Sequence, residues 1–234
     1  MGSKRYEQAA TLVDRKKAYA LSDAVTVLKE MPKVKFDETV ELSVSLGIDP
    51  AKTDQAVRGT VRLPHGTGKT RRVLVFCKGE RELAAKEAGA EYVGSADLIS
   101  KIEGGWLDFD VAIASPDLMR EVSKLGRILG PRGLMPSPKV GTVTEDVAKA
   151  VAEVKQGKVE FKMDKLANLH VVIGKLSFAV EQLVANASAA MEAIIRARPS
   201  SVKGQFIHRV ALSSTMSPGI LVDIHPLLEQ HAST

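Results

Sequence analysis

The segment His65–Thr70, His-Gly-Thr-Gly-Lys-Thr, is the part of this chain that comes nearest to a chemical motif. It resembles the end of a P-loop, in which backbone amides and a lysine hold the phosphates of a nucleotide. A complete P-loop has a glycine five residues before Gly68, where this chain has Leu63. It also has a strand before the loop and a helix after it, whereas Thr70 leads here into an apolar run. The sequence therefore favours a flexible linker over a nucleotide site.

No other set of nucleophilic, acid–base or metal-ligating residues has a catalytic spacing. The five histidines, at positions 65, 170, 208, 225 and 231, are not spaced as metal ligands, and no G-x-S-x-G, H-E-x-x-H or C-x-x-C motif occurs. The single cysteine, Cys77, ends an apolar run, where a small buried side chain is the expected role. We therefore predict that the chain is not an enzyme and binds no cofactor or metal ion.

The composition is that of a globular protein with a modest positive charge. The 234 residues include 33 Lys and Arg against 28 Asp and Glu, which gives a net charge of +5. This excess favours a polyanionic partner without establishing one. No run approaches the roughly 18 apolar residues of a membrane span, the first residues have no apolar signal core, and a lone cysteine suits a reducing compartment. These features predict a cytoplasmic protein with no membrane partner.

Alternating apolar and polar residues predict antiparallel strands near both ends of the chain. The period becomes two from Phe36, with apolar residues at every second position from Val40 to Leu46. The alternation is repeated over 57–63, through Val57, Val61 and Leu63, and over 158–163, which is typical of strands with one buried and one solvent-facing side. A turn at 164–168 then leads into a further alternating run over 169–173. These last two runs predict a hairpin, and later strands are predicted at about 205–213 and 220–223.

Two helices in these terminal regions have serine at their expected first position. Ser22 is a predicted N-cap for a helix that ends at Pro32, and Ser177 is a predicted N-cap for a long helix that continues to about Arg198.

The centre of the chain has a different pattern. Val73–Cys77 and Val111–Ala114 are short unbroken apolar runs, as in strands buried on both faces of a parallel sheet. Helical stretches lie between and after them, which predicts a doubly wound α/β unit. The terminal patterns then belong to a discontinuous domain, residues 1–67 and 159–234, and residues 68–158 form an inserted domain. Two chain crossings predict a hinge between the domains.

Two loops have compositions that are unusual for connecting segments. Residues 125–141 contain four glycines, and Pro131, Arg132 and Pro136 are also among them. The sequence leaves open whether this basic loop is a solvated turn or a binding element. Residues 213–219 present hydroxyl side chains and Met216 after a strand. Hydroxyls and backbone amides suit RNA sugars and phosphates, although the composition alone also fits a plain turn.

With both loops in view, the chain resembles the family of the first protein of the large ribosomal subunit, the mobile-stalk protein, in its bacterial form. The segments that carry the resemblance are Lys35-Phe-Asp-Glu-Thr-Val-Glu41, Gly130-Pro-Arg-Gly-Leu-Met-Pro136, Val159-Glu-Phe-Lys162, Val172-Ile-Gly-Lys175 and Ser214-Thr-Met216. The resemblance implies an α/β protein: an α+β terminal domain with a split β-α-β sheet, and an inserted Rossmann-like, three-layer α/β domain.

The resemblance also implies a function in the ribosome. The partners it implies are 23S-type ribosomal RNA at the base of the stalk, exit-site tRNA, the mRNA of its own operon and other large-subunit components. The chain would assist release of deacylated tRNA, repress translation of its operon, and be a monomer when free. Because only 4% of the residues are aromatic, we expect folded RNA as the target rather than stacked single strands.

Carried over by position, the resemblance assigns an RNA-binding surface. Its residues are Lys35, Phe36, Thr39, Glu41, Lys162, Lys165, Lys175, Ser213, Thr215, Met216 and Gly219. A solvated surface remains an alternative for each lysine, and core packing for Phe36. Ser217 and Ser137 depart from the glycine and asparagine expected there, and Gly219 is expected to supply some of the backbone freedom.

Two other classes of function stay open at this point. One is a nucleotide-dependent enzyme that uses the α/β domain and the 66–70 loop. The other is a protein-interaction adaptor whose positive charge is incidental.

Overall fold

The structure, a computed structural model, describes residues 3–225, which form two compact units. The terminal unit comprises the residues up to Gly68 together with those from Val159 onward, and the inserted unit is the single stretch Lys69–Lys158. The chain therefore passes between the units twice. Helices and strands occur in both units, so the predicted α/β class is confirmed.

The strands are β1 (Thr39–Leu46), β2 (Arg58–Arg62), β3 (Val73–Phe76), β4 (Tyr92–Gly94), β5 (Val111–Ala114), β6 (Lys158–Lys162), β7 (Asn168–Lys175), β8 (Ile207–Ser214) and β9 (Ile220–Val222). The α-helices are α1 (Lys4–Thr11), α2 (Leu21–Glu30), α3 (Glu80–Glu87), α4 (Ala96–Glu103), α5 (Met119–Val122), α6 (Gly126–Leu129), α7 (Val147–Lys155) and α8 (Val180–Arg196). Single 3-10 turns lie at Thr53–Gln55, Pro116–Leu118, Ser123–Leu125 and Pro138–Val140.

A four-stranded sheet in the order β7-β1-β8-β9 is the centre of the terminal unit. Strand β1 is antiparallel to both of its neighbours, with Thr39 opposite Lys175 and Val40 opposite Ser214. Strands β7 and β8 are therefore parallel to each other, and helix α8 connects them while β1 lies between them. This arrangement is a split β-α-β unit.

The alternation along β1 decides which face of this sheet is buried. Val40, Leu42 and Val44 are fully buried in the core that helices α2 and α8 complete. Each such side chain contributes about 1.5–3 kcal/mol when it is removed from water. The residues between them, among them Thr39 and Glu41, remain partly exposed on the opposite face. The face of the sheet opposite the core therefore presents the polar side chains of β1 to solvent.

The predicted hairpin over 158–173 is wrong. Strand β6 pairs with β2 in a separate two-stranded sheet, and β7 pairs with β1 instead. Both runs have the expected period of two, with Val159 and Phe161 buried in β6. The connecting turn is present, but its two strands diverge into different sheets.

The inserted unit has a three-stranded parallel sheet in the order β4-β3-β5. Apolar clusters cover both faces of the sheet. One cluster contains Leu98 and Leu118 from the α4 and α5 side, and the other contains Ala85 and Val151 from α3 and α7. This confirms the predicted three-layer arrangement. The short strand β4 has no clear signal in the sequence.

The two predicted N-caps are not used. Helix α2 begins at Leu21, and the Ser22 hydroxyl does not bond a backbone amide of the first turn. Helix α8 begins at Val180, and the Ser177 hydroxyl instead donates to the Asp37 carboxylate at 2.8 Å. Ser177 therefore ties α8 to the segment before β1.

Candidate RNA interface

The start of β1 and the loop after β8 are joined by mutual hydrogen bonds. The Thr215 N–H donates to the Thr39 carbonyl at 3.1 Å, and the Thr39 N–H donates to the Thr215 hydroxyl oxygen at 3.1 Å. These bonds join two segments that are 176 residues apart in the chain. Here the Thr39–Thr215 surface means Lys35, Phe36, Thr39, Thr215 and Met216, which the structure brings to one end of the sheet.

Beneath this surface lies a buried carboxylate that the sequence analysis missed. Glu38 is 3% exposed, and its Oε2 accepts the Ser214 hydroxyl at 2.6 Å and the Met216 N–H at 2.9 Å. It therefore fixes the loop that follows β8. A signal was available, because Glu38 has the same parity as Val40 and Leu42 and so points inward.

Lys175 is already engaged by the protein. Its Nζ donates to the Thr39 hydroxyl oxygen at 2.8 Å and to the Asp37 carbonyl at 3.4 Å. The Asp37 carboxylate in turn accepts the Ser177 N–H at 3.1 Å. Lys175 thus positions Thr39 and brings a positive charge to the edge of the surface.

Two apolar side chains project from the Thr39–Thr215 surface. Phe36 is 54% exposed and Met216 is 47% exposed, so core packing does not account for Phe36. Arg5 donates to the Met216 carbonyl at 2.7 Å and attaches helix α1 to the loop. Lys35 is exposed beside Phe36. The surface therefore offers apolar contact area on a hydrogen-bonded frame.

Glu41 and Ser213 lie further along the open face of the sheet. They are opposite each other in the β1–β8 register. The Glu41 carboxylate is 2.8 Å from Nδ1 of His170 on β7, which also lies 3.2 Å from the Ser43 hydroxyl. Glu41 is thus paired within the sheet rather than facing a ligand alone.

Lys162 and Lys165 are not brought to the Thr39–Thr215 surface. They lie at and beyond the end of β6, where the Leu46 N–H donates to the Ala167 carbonyl at 2.9 Å. That is the opposite end of β1, about 23 Å away for the seven residue steps of extended chain between Thr39 and Leu46. Both lysines are exposed there and form a separate patch.

The turn beside these lysines is built around Asp164. Its carboxylate accepts the Asn168 N–H and the Leu166 N–H, each at 2.8 Å. These bonds hold the pKa of Asp164 below its ordinary value, and the bond from the Asn168 N–H has the largest effect. Ala167 in this turn is the one non-glycine residue among those described, 3–225, with a positive φ, 61°.

The departures at Ser217 and Ser137 fit the backbone that is observed. The Ser217 hydroxyl accepts the Ser214 N–H at 2.8 Å and closes the loop without a left-handed conformation. Gly219 has no positive φ either, so the expectation that it supplies backbone freedom is wrong. Ser137 has extended dihedrals, and its N–H donates to the Thr142 hydroxyl oxygen at 2.8 Å.

The loop that resembles a P-loop is anchored by hydrogen bonds to a buried side chain. The buried Asn186 side chain accepts the His65 N–H at 3.0 Å and donates to the carbonyls of Gly66 at 2.9 Å and Ile173 at 2.7 Å. A β-strand, β3, follows the loop where a nucleotide site would have a helix. The loop is therefore held by α8 at His65 and Gly66, and the strand that follows it differs from the helix that follows a phosphate cradle.

Within residues 3–225, no group of three or more His, Cys, Asp or Glu is placed to hold a metal ion. Cys77 is buried after β3, and its burial raises the pKa of the thiol. No helix in the same range is both long enough and apolar enough to pass through a bilayer.

Comparison with known proteins identifies the family. The model of the ribosomal protein L1p/L10e family matches residues 28–218. "Large ribosomal subunit protein uL1" of Saccharopolyspora erythraea is 58% identical over 221 residues, which are 94% of this chain and 93% of that protein. The protein of the same name from Kosmotoga olearia is 57% identical over 227 residues, 97% of this chain and 98% of the relative. That from Thermobifida fusca is 55% identical over 94% of both chains. The chain therefore belongs to the ribosomal protein L1p/L10e family.

Proposed function

We propose that the chain is a structural constituent of the large ribosomal subunit and binds 23S-type ribosomal RNA through the Thr39–Thr215 surface. The family supports the ribosomal assignment, because its relatives bear the name of a large-subunit protein. A ribosomal protein of this family is not an enzyme, and it works in the cytoplasm with the ribosome. Other large-subunit components are its neighbours there.

The observation that carries the proposal is the pair of hydrogen bonds between Thr39 and Thr215. Because these bonds and the buried Glu38 fix the loop in the free protein, RNA binding does not have to order it. Preorganisation of this kind lowers the entropic cost of association. A modest net charge of +5 is then sufficient, since affinity does not depend on bulk electrostatics alone.

The exposed groups match folded RNA. Phe36 and Met216 provide apolar area for ribose faces, and Thr215 and Ser213 provide hydroxyls for phosphates and 2′-hydroxyls. Lys35 supplies positive charge at the same end of the sheet. Lys162 and Lys165, at the opposite end of β1, suit phosphates of the same RNA further along its backbone.

Two finer roles follow from the same surface. A messenger RNA of the chain's own operon that folds like the ribosomal site would compete for the Thr39–Thr215 surface, and its translation would be repressed. Bound to ribosomal RNA at the mobile stalk, the protein would contact exit-site tRNA and assist release of the deacylated form. We propose that the free protein is a monomer, in which residues 1–67 and 159–234 form the RNA-binding domain and 68–158 the inserted domain.

The alternative of a nucleotide-dependent enzyme has less support. The His65 N–H is bonded to Asn186, so this donor is not available to phosphates, and a strand rather than a helix follows the loop. Calorimetry with ATP, GTP and NAD tests this directly, and we expect no heat of binding. The adaptor alternative would require an RNA affinity that does not fall with salt.

The test of the RNA-binding surface is Met216→Ala. We expect affinity for a 23S-type RNA fragment from the stalk base to fall about 5- to 30-fold, or about 1–2 kcal/mol, because a half-exposed methionine loses its contact with RNA. Stability should change by less than about 0.5 kcal/mol. The matched control is Leu12→Ala, since Leu12 is also 47% exposed and lies in the terminal unit. Equal RNA affinity of the two variants would overturn the assignment.

A further inference from the structure

A nearly continuous helical run, residues 116–129, crosses one side of the inserted unit. The turn Pro116–Leu118, α5, the turn Ser123–Leu125 and α6 follow one another without a gap. One stripe of this run is buried, and its members are at most 1% exposed: Leu118, Val122, Leu125 and Leu129. Their spacing of four, three and four residues is that of one helical face. The run is therefore fixed to the core of the unit along its length.

A row of cations repeats this spacing on the other side of the run. Arg120, Lys124 and Arg127, here the basic stripe, are all exposed. At 3.6 residues per turn they lie within about 60° of one another and roughly opposite the buried stripe, and they extend over about 10 Å. Consecutive cations of the stripe are about 5 Å apart along the run, so the three side chains are spaced to reach successive phosphates of one nucleic-acid strand.

The acidic residues of the run do not neutralise the basic stripe. Asp117 pairs with Arg81 at 3.0 Å, and Glu121 pairs with Lys78 at 3.3 Å, so both carboxylates are occupied by cations from elsewhere in the unit. Within residues 3–225, the three cations of the basic stripe form no ion pair. Arg132 is also exposed in the following turn.

The stripe lacks the apolar groups that other partners require. The exposed large hydrophobic residues of the described range are Leu12, Phe36, Leu83, Leu166 and Met216, none of which lies in 116–133. A membrane-surface helix inserts an apolar face, and protein interfaces depend on exposed aromatic or aliphatic anchors. Unpaired cations on a rigid support suit phosphates instead.

We propose that the basic stripe of the inserted unit binds the phosphate backbone of structured RNA. This site shares no residue with the Thr39–Thr215 surface and does not depend on it. Because the stripe presents charge and no groups arranged to read base edges, its binding is independent of RNA sequence and strongly dependent on salt.

The test compares two triple variants of the full chain. One is Arg120→Gln, Lys124→Gln and Arg127→Gln. The control is Lys86→Gln, Lys101→Gln and Lys149→Gln, which removes the same charge from exposed positions on α3, α4 and α7. The probe is a 16-base-pair RNA duplex of arbitrary sequence. We expect the stripe variant to bind it at least tenfold more weakly at 50 mM salt, with a salt slope smaller by about 2–3. The control should change binding less than threefold.

Several results would overturn the proposal. These are no binding of the duplex by the unaltered protein, an equal loss in both triple variants, or a loss of binding to phosphatidylserine vesicles with RNA binding intact. The double variant Arg120→Lys, Arg127→Lys keeps the charge and should keep binding, so its failure would also contradict a role for phosphate contact. Both triple variants leave every residue of the Thr39–Thr215 surface unaltered, so a difference between them is assigned to the basic stripe.

Discussion

Replacing Glu38 by alanine tests whether a buried carboxylate holds the loop after β8, which is part of the proposed RNA surface, in place. Its Oε2 accepts one bond from the Ser214 hydroxyl and one from the Met216 N–H. A hydrogen bond to a charged group contributes about 1.5–3 kcal/mol. We take the lower value for each bond, because Met216 is half exposed and water can replace part of the loss. The free energy of unfolding of the terminal unit should then fall by about 3 kcal/mol. This corresponds to a Tm lower by about 6–12 °C.

The single tryptophan makes the assay specific to one unit. Trp106 lies in the inserted unit, so its fluorescence reports that unit, whereas far-UV circular dichroism reports both. We expect the dichroism transition to move to lower temperature and the fluorescence transition to move less. Affinity for the stalk-base RNA should fall about tenfold, because the loop must then be ordered at a cost of about 1.4 kcal/mol.

The matched control is Glu30→Ala, which removes the same charge from an exposed position at the end of α2. Its stability should change by less than about 0.5 kcal/mol. A loss below 1 kcal/mol for Glu38→Ala would refute the role of the carboxylate in stability. Full RNA affinity in a destabilised Glu38→Ala variant would refute the link between the loop and recognition.

Two further predictions concern anchored turns. Asn186→Ala should lower the free energy of unfolding by about 2–4 kcal/mol, because a buried amide with three backbone partners is lost; chemical denaturation measures this, and a loss below 1 kcal/mol would contradict the anchor. The lowered pKa of Asp164 means that its bonds stabilise the 164–168 turn above the unfolded-state pKa and are lost as the pH falls through the folded-state pKa. The NMR chemical shift of the Asn168 amide should therefore change as the pH falls. Asp164→Asn should abolish this pH-dependent change. If the change persists in the variant, a group other than Asp164 causes it.

Strands could be predicted from the sequence where one face is buried and the other is exposed to solvent. The alternation from Val40 to Leu46 placed β1 and its buried face correctly, and the unbroken runs placed β3 and β5. Burial is a property of each residue's surroundings that hydropathy reports directly, so these elements were visible in the sequence.

Strand pairing was not visible in the same way. The runs before and after the 164–168 turn are adjacent in the chain, which favours a hairpin, but β6 pairs with β2 and β7 pairs with β1. Nothing in the local pattern distinguishes these outcomes, because the preferred partner is about 100 residues away or more. The unused N-cap at Ser177 has a similar cause, since a remote carboxylate, Asp37, takes its hydroxyl.

The candidate site could be predicted in part. The resemblance brought Phe36, Thr39, Thr215 and Met216 together, and the structure joins their segments by hydrogen bonds. The resemblance also grouped Lys165 with these residues, although Lys165 lies near the opposite end of β1. The order of motifs in a sequence does not show how far apart they lie in the folded protein. Hydrogen bonds such as those of Glu38 depend on side-chain geometry that no spacing rule encodes.

The central position of β1 sets an order of assembly during synthesis. Strand β1 leaves the ribosome early, but one of its two neighbours, β8, is made more than 160 residues later. The inserted unit has a complete sheet and two apolar clusters of its own between these points. The inserted unit can therefore fold first. Until the partners of β1 are made, the edges of β1 remain unpaired and are prone to aggregation. Nascent chains halted shortly before β8 should consequently hold a protease-resistant middle and a cleavable beginning.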